Sequence, residues 1–303
     1  MAADEATVLL SARVLARGEG WRVTEVVCRA GPRDRPFEEC HEWTSIAAVL
    51  EGAFTYRSVR GRALLAAGSL LLGEGGACFE CGHEHGRGDR CVAFQFAPAL
   101  VEETGAGVPG AGRGGFRHAG IPPLEALLPA FARARMLARD HDPGLAEGAA
   151  GGAAGAAEGL ALDVLATALA LDRGVAEAPC SAHEEARAAR AARLIEARYA
   201  EPLTIAGLAG DVGLGRRRFA AAFKRAIGVT PYNYLLNRRL TAAAERLGAG
   251  DGASVLAIAL DVGFGDLSEF TRRFRAKFGR PPAAYRQGFG RPGKGGRAGF
   301  GVT

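Results

Sequence analysis

DVGLGRRRFAAAFKRAIGVTPYNY (Asp211–Tyr234) and DVGFGDLSEFTRRFRAKFGRPPAAY (Asp261–Tyr285) are two copies of one pattern. Phe219, Phe223, Gly228, Pro231 and Tyr234 each stand 51 residues before Phe270, Phe274, Gly279, Pro282 and Tyr285. A repeat that keeps aromatic, glycine and proline positions in step predicts duplicated structure. Each copy reads as two helices joined by a tight turn. In the first, Leu203, Ile205, Leu208, Ala209 and Val212 form an apolar helical stripe, Gly213 and Gly215 permit the turn, and Phe219 and Phe223 restart the period. In the second, Val255, Ile258, Ala259 and Val262 precede Gly263 and Phe264, with Phe270 and Phe274 on the next helix. This is the grammar of a helix-turn-helix. The run Tyr232 to Leu247 between them predicts a connecting helix, with Tyr234, Leu235, Leu240, Ala243, Ala244 and Leu247 available for packing.

Charge divides the chain at the same place. Residues 187–288 carry 18 Lys+Arg against 8 Asp+Glu, whereas residues 1–186 carry 17 against 25, within a total formal charge of +5. An acidic front and a basic rear suggest a nucleic-acid-binding rear segment, because clustered cations supply the sequence-independent part of DNA affinity. A solvated helix face is the plain alternative on charge alone, and the repeat is what favours nucleic acid.

Residues 187–288 resemble the DNA-binding domain of the AraC/XylS family of bacterial transcription regulators. The resemblance rests on the paired units, on Arg239, Leu240 and Ala244 of the linking helix, and on IALDVGFGDLSEFTRRFRAKFGRPPAAYR from Ile258 to Arg286. It implies two helix-turn-helix units that place their second helices in successive major grooves of double-stranded DNA. It also implies that base reading falls on Arg216, Arg217, Ala220 and Ala221 in the first unit and on Leu267, Ser268, Thr271 and Arg272 in the second. An Arg can bond two guanine acceptors, Ser and Thr can meet several bases, and Ala offers only a methyl group. The family commonly carries an Arg where this chain has Ala221 and a Ser cap where it has Gly215. Lys224, Arg225, Arg273, Arg275 and Lys277 are expected on phosphates, where they position the protein without specifying sequence.

The remainder of the chain is expected to supply the input. From Trp21 to about Ala97, short alternating segments such as WRVTEVV, SIAAVLEGAFTYRSV and CVAFQF are separated by Gly, Pro and charge, which predicts an antiparallel β domain. AraC-type regulators often carry a cupin barrel here, and His41, GSLLLG and a His-rich strand follow in a similar order, although the paired His-x-His of a cupin metal site is absent. Pro122–Arg139 and Leu160–Leu171 are expected helices, with GLAEGAAGGAAGAAEG between them as a flexible connection. Leu160, Leu162, Val164, Leu165 and Leu169 would bury against the barrel or pair two chains.

CFECGHEHGRGDRC (Cys78–Cys91) gathers three cysteines and two histidines. On a strand, Cys81, His83 and His85 would share one face and Cys78 the other, with Cys91 returning on the next strand. Thiolates and imidazoles converging on one patch suit Zn²⁺, and Cys40 or His41 would complete a set of four. A reactive-thiol sensor and inert packing of buried cysteines remain open beside the zinc reading. Six cysteines in 303 residues are too few for a disulfide scaffold, so clustered cysteines in a reducing cytoplasm point to metal or reactivity.

The expected fold is multidomain, mixing α and β. It comprises a cupin-like antiparallel β-barrel sensor (1–120), a helical linker that is also the candidate dimerisation region (121–186), an all-α domain with two helix-turn-helix units (187–288) and a disordered basic tail (289–303). The expected protein is a cytoplasmic, sequence-specific transcription regulator and not an enzyme. It has no apolar run long enough to span a membrane and no export signal. Double-stranded DNA is the expected partner, with a small-molecule or metal effector, RNA polymerase and a second copy of the chain as further candidates. The rivals are a metal-dependent cupin-type enzyme fused to a DNA-binding domain and a constitutive DNA binder whose barrel only dimerises.

Overall fold

The structure, a computed structural model, describes residues 9–36, 38–109, 115–140, 153–176 and 178–289. Its front half is built on nine strands: β1 (Leu10–Gly18), β2 (Trp21–Cys28), β3 (Glu38–Cys40), β4 (Thr44–Ser58), β5 (Gly61–Ala66), β6 (Leu70–Gly73), β7 (Cys78–Gly82), β8 (Asp89–Phe96) and β9 (Gly120–Ile121). Every pairing is antiparallel. β4 organises them. Its first half pairs with β8 and β6, its second half with β5 and β7, and the register slips between Val49 and Glu51. Gly52, just beyond the slip, has φ of 87°, which an L side chain rarely adopts, and a Cβ there would strike the Gly88 carbonyl. The bend lets one strand serve two sheets. The strand order β1-β2-β8-β4-β6-β9 does not return to β1, so the expected antiparallel domain is present as an open arrangement and not as the closed cupin-like barrel expected.

Alternation along β8 shows how the two sheets divide their side chains. Val92, Phe94 and Phe96 point to the helices, while Cys91 and Ala93 point between the sheets, beside Val49, Phe54, Tyr56, Leu65 and Cys81. Helices α1 (Pro98–Ala106), α2 (Leu128–Asp140) and α3 (Ala153–Asp172) follow. Phe131 of α2 and Leu160, Val164, Leu165 and Leu169 of α3 bury in one cluster with Trp21, Val23, Ile46 and Phe94. These side chains therefore take the first of the two places expected for them, against the sheet, at roughly 1.5–3 kcal/mol per buried large apolar side chain, while Leu162 is half-buried. The connection expected to be flexible is also helical from Ala153 onward, and its earlier part, residues 144–152, lies outside the described residues. Strand β1 was not anticipated from the sequence. Its burial pattern is largely exposed, with Val14 open to solvent, so it gives little alternation to read.

The rear half is helical: α4 (Ala182–Arg198), α5 (Ile205–Asp211), α6 (Arg216–Ile227), α7 (Pro231–Ala249), α8 (Val255–Asp261), α9 (Leu267–Phe278) and α10 (Pro282–Phe289). Local chemistry sets their ends. Ser181 and Glu184 form a reciprocal capping box, and Thr204, Thr230, Ser254 and Asp266 each accept from a backbone N–H in the first turn of their helices. The predicted connecting helix is α7, started by Pro231 at its first position. The two units, α5–α6 and α8–α9, turn at Gly213 (φ 67°) and Gly263 (φ 93°). Each second helix ends at a left-handed glycine, Gly228 or Gly279. The tail from residue 290 onward lies outside the described residues.

The halves pack directly on one another. Ala53, Leu64 and Ala66 of the sheets share a core with Ile195 of α4 and with Phe219 and Phe223 of the first unit. Leu128 and Ala132 of α2 share a core with Phe270 and Phe274 of the second unit. Each unit therefore rests on a different part of the front half.

Candidate nucleic-acid interface and Cys/His cluster

Matching aromatic triads support the outer helices. Phe219, Phe223 and Tyr234 have ring centroids 5.8 and 5.5 Å apart, and Phe270, Phe274 and Tyr285 have centroids 5.5 and 5.2 Å apart. Burying these rings turns the other face of each helix outward. On α6 the exposed face carries Arg216, Arg217, Arg218, Ala221 and Lys224, with Ala220 half-buried beside them. On α9 it carries Leu267, Ser268, Arg272 and Arg275, with Thr271 half-buried. The eight sequence-predicted base-reading positions thus fall on the outward faces of two equivalent helices. Leu267, at the start of α9, is a large apolar side chain left 39 % exposed. Leu267, Ser268, Thr271, Arg272 and Arg275 line a shared surface groove.

The five residues expected on phosphates divide. Among the described residues Lys224 and Arg275 make no ion pair, as do Arg216, Arg217, Arg218 and Arg272. Arg225 is instead paired with Glu184 at the start of α4, and Lys277 with Glu125 beside α2. Arg273 donates to Glu269 at 2.8 Å, and its guanidinium lies 5.7 Å from the centroid of the Tyr232 ring. Arg225 and Lys277 are therefore occupied in tying the units to the rest of the chain. Carboxylates distant in sequence took them, which spacing along a helix cannot foresee.

The cysteine- and histidine-rich stretch does not form one cluster. Cys40 and Cys78, opposite each other on β3 and β7, are joined in a disulfide and leave the expected ligand set. The expectation that these cysteines stay free is corrected by that cross-strand juxtaposition. His41 is also separate: its Nε2 lies 3.0 Å from the Tyr56 hydroxyl and its ring stacks on Phe79 at 4.2 Å. Burial pushes its imidazole down to about 4 and the Tyr56 phenol up. β7 ends at Gly82, and Gly86 N–H donates to the His83 carbonyl at 3.2 Å, so a turn breaks the alternation that was to align Cys81, His83 and His85. His85 faces α4, beside Ala186, Arg190 and Leu194.

What converges instead is Cys28, His83 and Asp89, whose donor atoms all lie within 4.8 Å of one another. His83 Nε2 is 2.6 Å from Asp89 Oδ1, and the Cys91 thiol donates to Asp89 Oδ2 at 3.3 Å. Burial opposes protonation of His83, but its bonds to Asp89 and Cys28 outweigh that and raise it to about 9. The Cys81 and Cys91 thiols are pushed well above the ordinary range, first by burial and then by the Asp89 charge, so neither is an activated thiolate. Cys28 and Asp89 were missed in the sequence. They are directly opposite in the β2–β8 register, a pairing 61 positions apart that only the sheet creates. No helix among the described residues is long and apolar enough to cross a membrane.

A family model described as a helix-turn-helix domain matches residues 208–288, from within α5 through the end of the second unit and into α10. A putative AraC-like transcription regulator of Streptomyces lividans is 37 % identical over 84 residues, which is 28 % of this chain and 27 % of that protein. The transcriptional activator NphR of a Rhodococcus species is 34 % identical over 128 residues, 42 % of this chain and 37 % of that one. A solved AraC-type DNA-binding transcriptional regulator from Chromobacterium violaceum is 31 % identical and matches 37 % of this chain and 100 % of that one, with a TM-score of 0.34. The chain thus spans between about a quarter and somewhat over a third of the length of these curated relatives.

Proposed function

We propose, on the premise that the C-terminal region of this chain is an AraC-type helix-turn-helix domain, that the protein is a cytoplasmic regulator of transcription and not an enzyme. It binds double-stranded DNA through α6 and α9. The observation carrying this reading is the pair of equivalent helices, each buried on its aromatic face, whose exposed Arg216, Arg217, Arg218, Arg272 and Arg275 make no ion pair among the described residues. Arg216, Arg217, Ser268, Thr271 and Arg272 read base edges, and Lys224 and Arg275 hold phosphates. Protein partners are RNA polymerase and a second copy of the chain.

The sheet domain supplies the input, from a small-molecule or metal effector, at its buried Cys/His group. Arg193 of α4 supports this route. Its guanidinium occupies the space a Cβ at Gly86 would need, and it donates to the Ala53 carbonyl at 2.9 Å. The loop between His83 and Asp89 therefore touches the first helix of the rear half. An effector that binds one arrangement of that loop more tightly shifts how the units are presented.

Selection of bound sequences from a random duplex library, followed by affinity measurement across salt, tests the reading. Two conserved half-sites about 10–10.5 base pairs apart are expected. The slope of log K against log salt should approach about −0.9 for each phosphate contact. Enrichment no better than random duplex would remove the regulator reading.

A further inference from the structure

Cys28 ends β2, Asp89 begins β8 opposite it, and His83 sits on the turn leading out of β7. Three strands thus deliver three different donor types to one point. His83 is only 6 % exposed, and its ring stacks against Phe54 with centroids 5.7 Å apart. Cys91, two residues along β8 from Asp89, is buried on the inner face with its thiol on Asp89 Oδ2. We propose that Cys28, His83, Asp89 and Cys91 form a four-ligand site for a thiophilic divalent cation of the zinc type. The proposal deepens the input assigned above to the sheet domain and rests on that reading for its regulatory meaning.

The donor set fits. Zn²⁺ takes thiolate at about 2.3 Å and imidazole or carboxylate at about 2.0–2.2 Å, which places tetrahedral ligands roughly 3.3–3.8 Å apart. Cys28, His83 and Asp89 already lie inside 4.8 Å of one another. Two adjustments complete the set: the 2.6 Å contact between His83 and Asp89 opens by roughly 1 Å, and the Cys91 thiol, now bonded to Asp89 Oδ2 but outside that group of three, turns in toward the other donors. Two soft sulfurs with one nitrogen and one oxygen favour zinc over magnesium or calcium, which take oxygen. On binding, the Cys28 and Cys91 thiols become thiolates, the protonated His83 ring gives up the proton it shares with Asp89, and all three protons leave to solvent. With four protein ligands no position stays open for a substrate, which separates this site from a catalytic cupin centre. Cys40, His41, Cys78 and His85 are not ligands, because their side chains are bonded or packed elsewhere. The site lies at one end of the loop that meets Arg193, so an occupant fixes the segment on which α4 rests.

The test uses the full chain, purified without a metal-affinity column, stripped with chelator and titrated with Zn²⁺ against a competing chelator and with Co²⁺ as the spectroscopic probe. About one Zn²⁺ per chain is expected, with the strong visible bands of tetrahedral Co²⁺ and a near-ultraviolet thiolate-to-cobalt band. Cys28→Ser and His83→Gln should each weaken Zn²⁺ binding at least about tenfold, and Cys28→Ser and Cys91→Ser should each shrink the thiolate band. Cys180→Ser should change neither, and circular dichroism checks that each variant is folded. Weak octahedral cobalt bands alone, or a folded Cys28→Ser that binds Zn²⁺ as the parent does, would overturn the site. The same samples are assayed on the selected duplex. A chain that binds the duplex but gives no thiolate band loses the site and keeps the regulator reading, whereas the reverse result loses the regulator reading and keeps the site.

Discussion

The two helix-turn-helix units have equal scaffolds and unequal faces. Phe219, Phe223 and Tyr234 repeat as Phe270, Phe274 and Tyr285 with almost the same ring spacings, and each turn pivots on a left-handed glycine. Yet Gly213 and Gly263 are 50 residues apart while Phe219 and Phe270 are 51 apart, because the second turn has one extra residue, Gly265, before its helix cap. At the equivalent cap positions Asp266 accepts from Glu269 N–H at 2.8 Å at the start of α9, whereas Gly215 at the start of α6 has no side chain to offer. The outward face of α6 is three consecutive arginines followed by alanines, and that of α9 mixes Leu, Ser, Thr and Arg. The packed faces repeat and the outward faces do not. On the proposed DNA reading, the first face offers charge and the second offers discrimination between bases.

Equality of the scaffolds carries the largest expected effect. Phe223→Ala and Phe274→Ala each remove a ring that is fully buried. Each should cost about 3–5 kcal/mol in urea unfolding, the range for Phe to Ala in a packed core. A large loss for one and less than about 1 kcal/mol for the other would end the equivalence.

Inequality of the faces comes next. Arg272→Ala should weaken the selected duplex by about 1–3 kcal/mol and relax preference at one base position, while Lys224→Ala should weaken all sequences alike and reduce the salt slope by about 0.9. Equal losses for Arg272→Ala on selected and random duplex would place that arginine on phosphate instead. Lys277→Ala, expected from sequence to act like Lys224→Ala, should leave DNA affinity within about 0.5 kcal/mol, because its ammonium is committed to Glu125.

The caps give the smallest effect. Asp266→Ala should cost about 1 kcal/mol of thermal or urea stability, and Gly215→Ser should add a few tenths. No loss in Asp266→Ala would mean that the Asp266 cap adds nothing to α9 that the uncapped start of α6 lacks.

Much of the rear half was legible because its information is local. Period, glycine turns and caps all lie within a few residues of the helices they shape, so α5 to α9 follow from short stretches of sequence. The outward positions of α6 and α9 were legible for the same reason, since burying Phe219 and Phe223 fixes which neighbours face solvent. The front half yielded its strands and their antiparallel character, but not β1, whose residues are mostly exposed, and not the open edge of the sheet. Its site was misassigned most. The stretch from Cys78 to Cys91 looked like one cluster because its cysteines and histidines are close in sequence. Cys40 took Cys78, Tyr56 took His41, and the turn after Gly82 sent His83 and His85 to different neighbours.

By itself the sequence determined a duplicated helix-turn-helix region, its two aromatic cores and the chemistry of its outward faces, because helical period and capping act over a few residues. Only the tertiary structure decided that Cys28 meets Asp89 and His83, that Lys277 and Arg225 are spent on carboxylates, and that each unit rests on a different part of the front half. Those outcomes depend on strand register and helix docking, which join residues tens to over a hundred positions apart, and no local pattern encodes which distant partner arrives first.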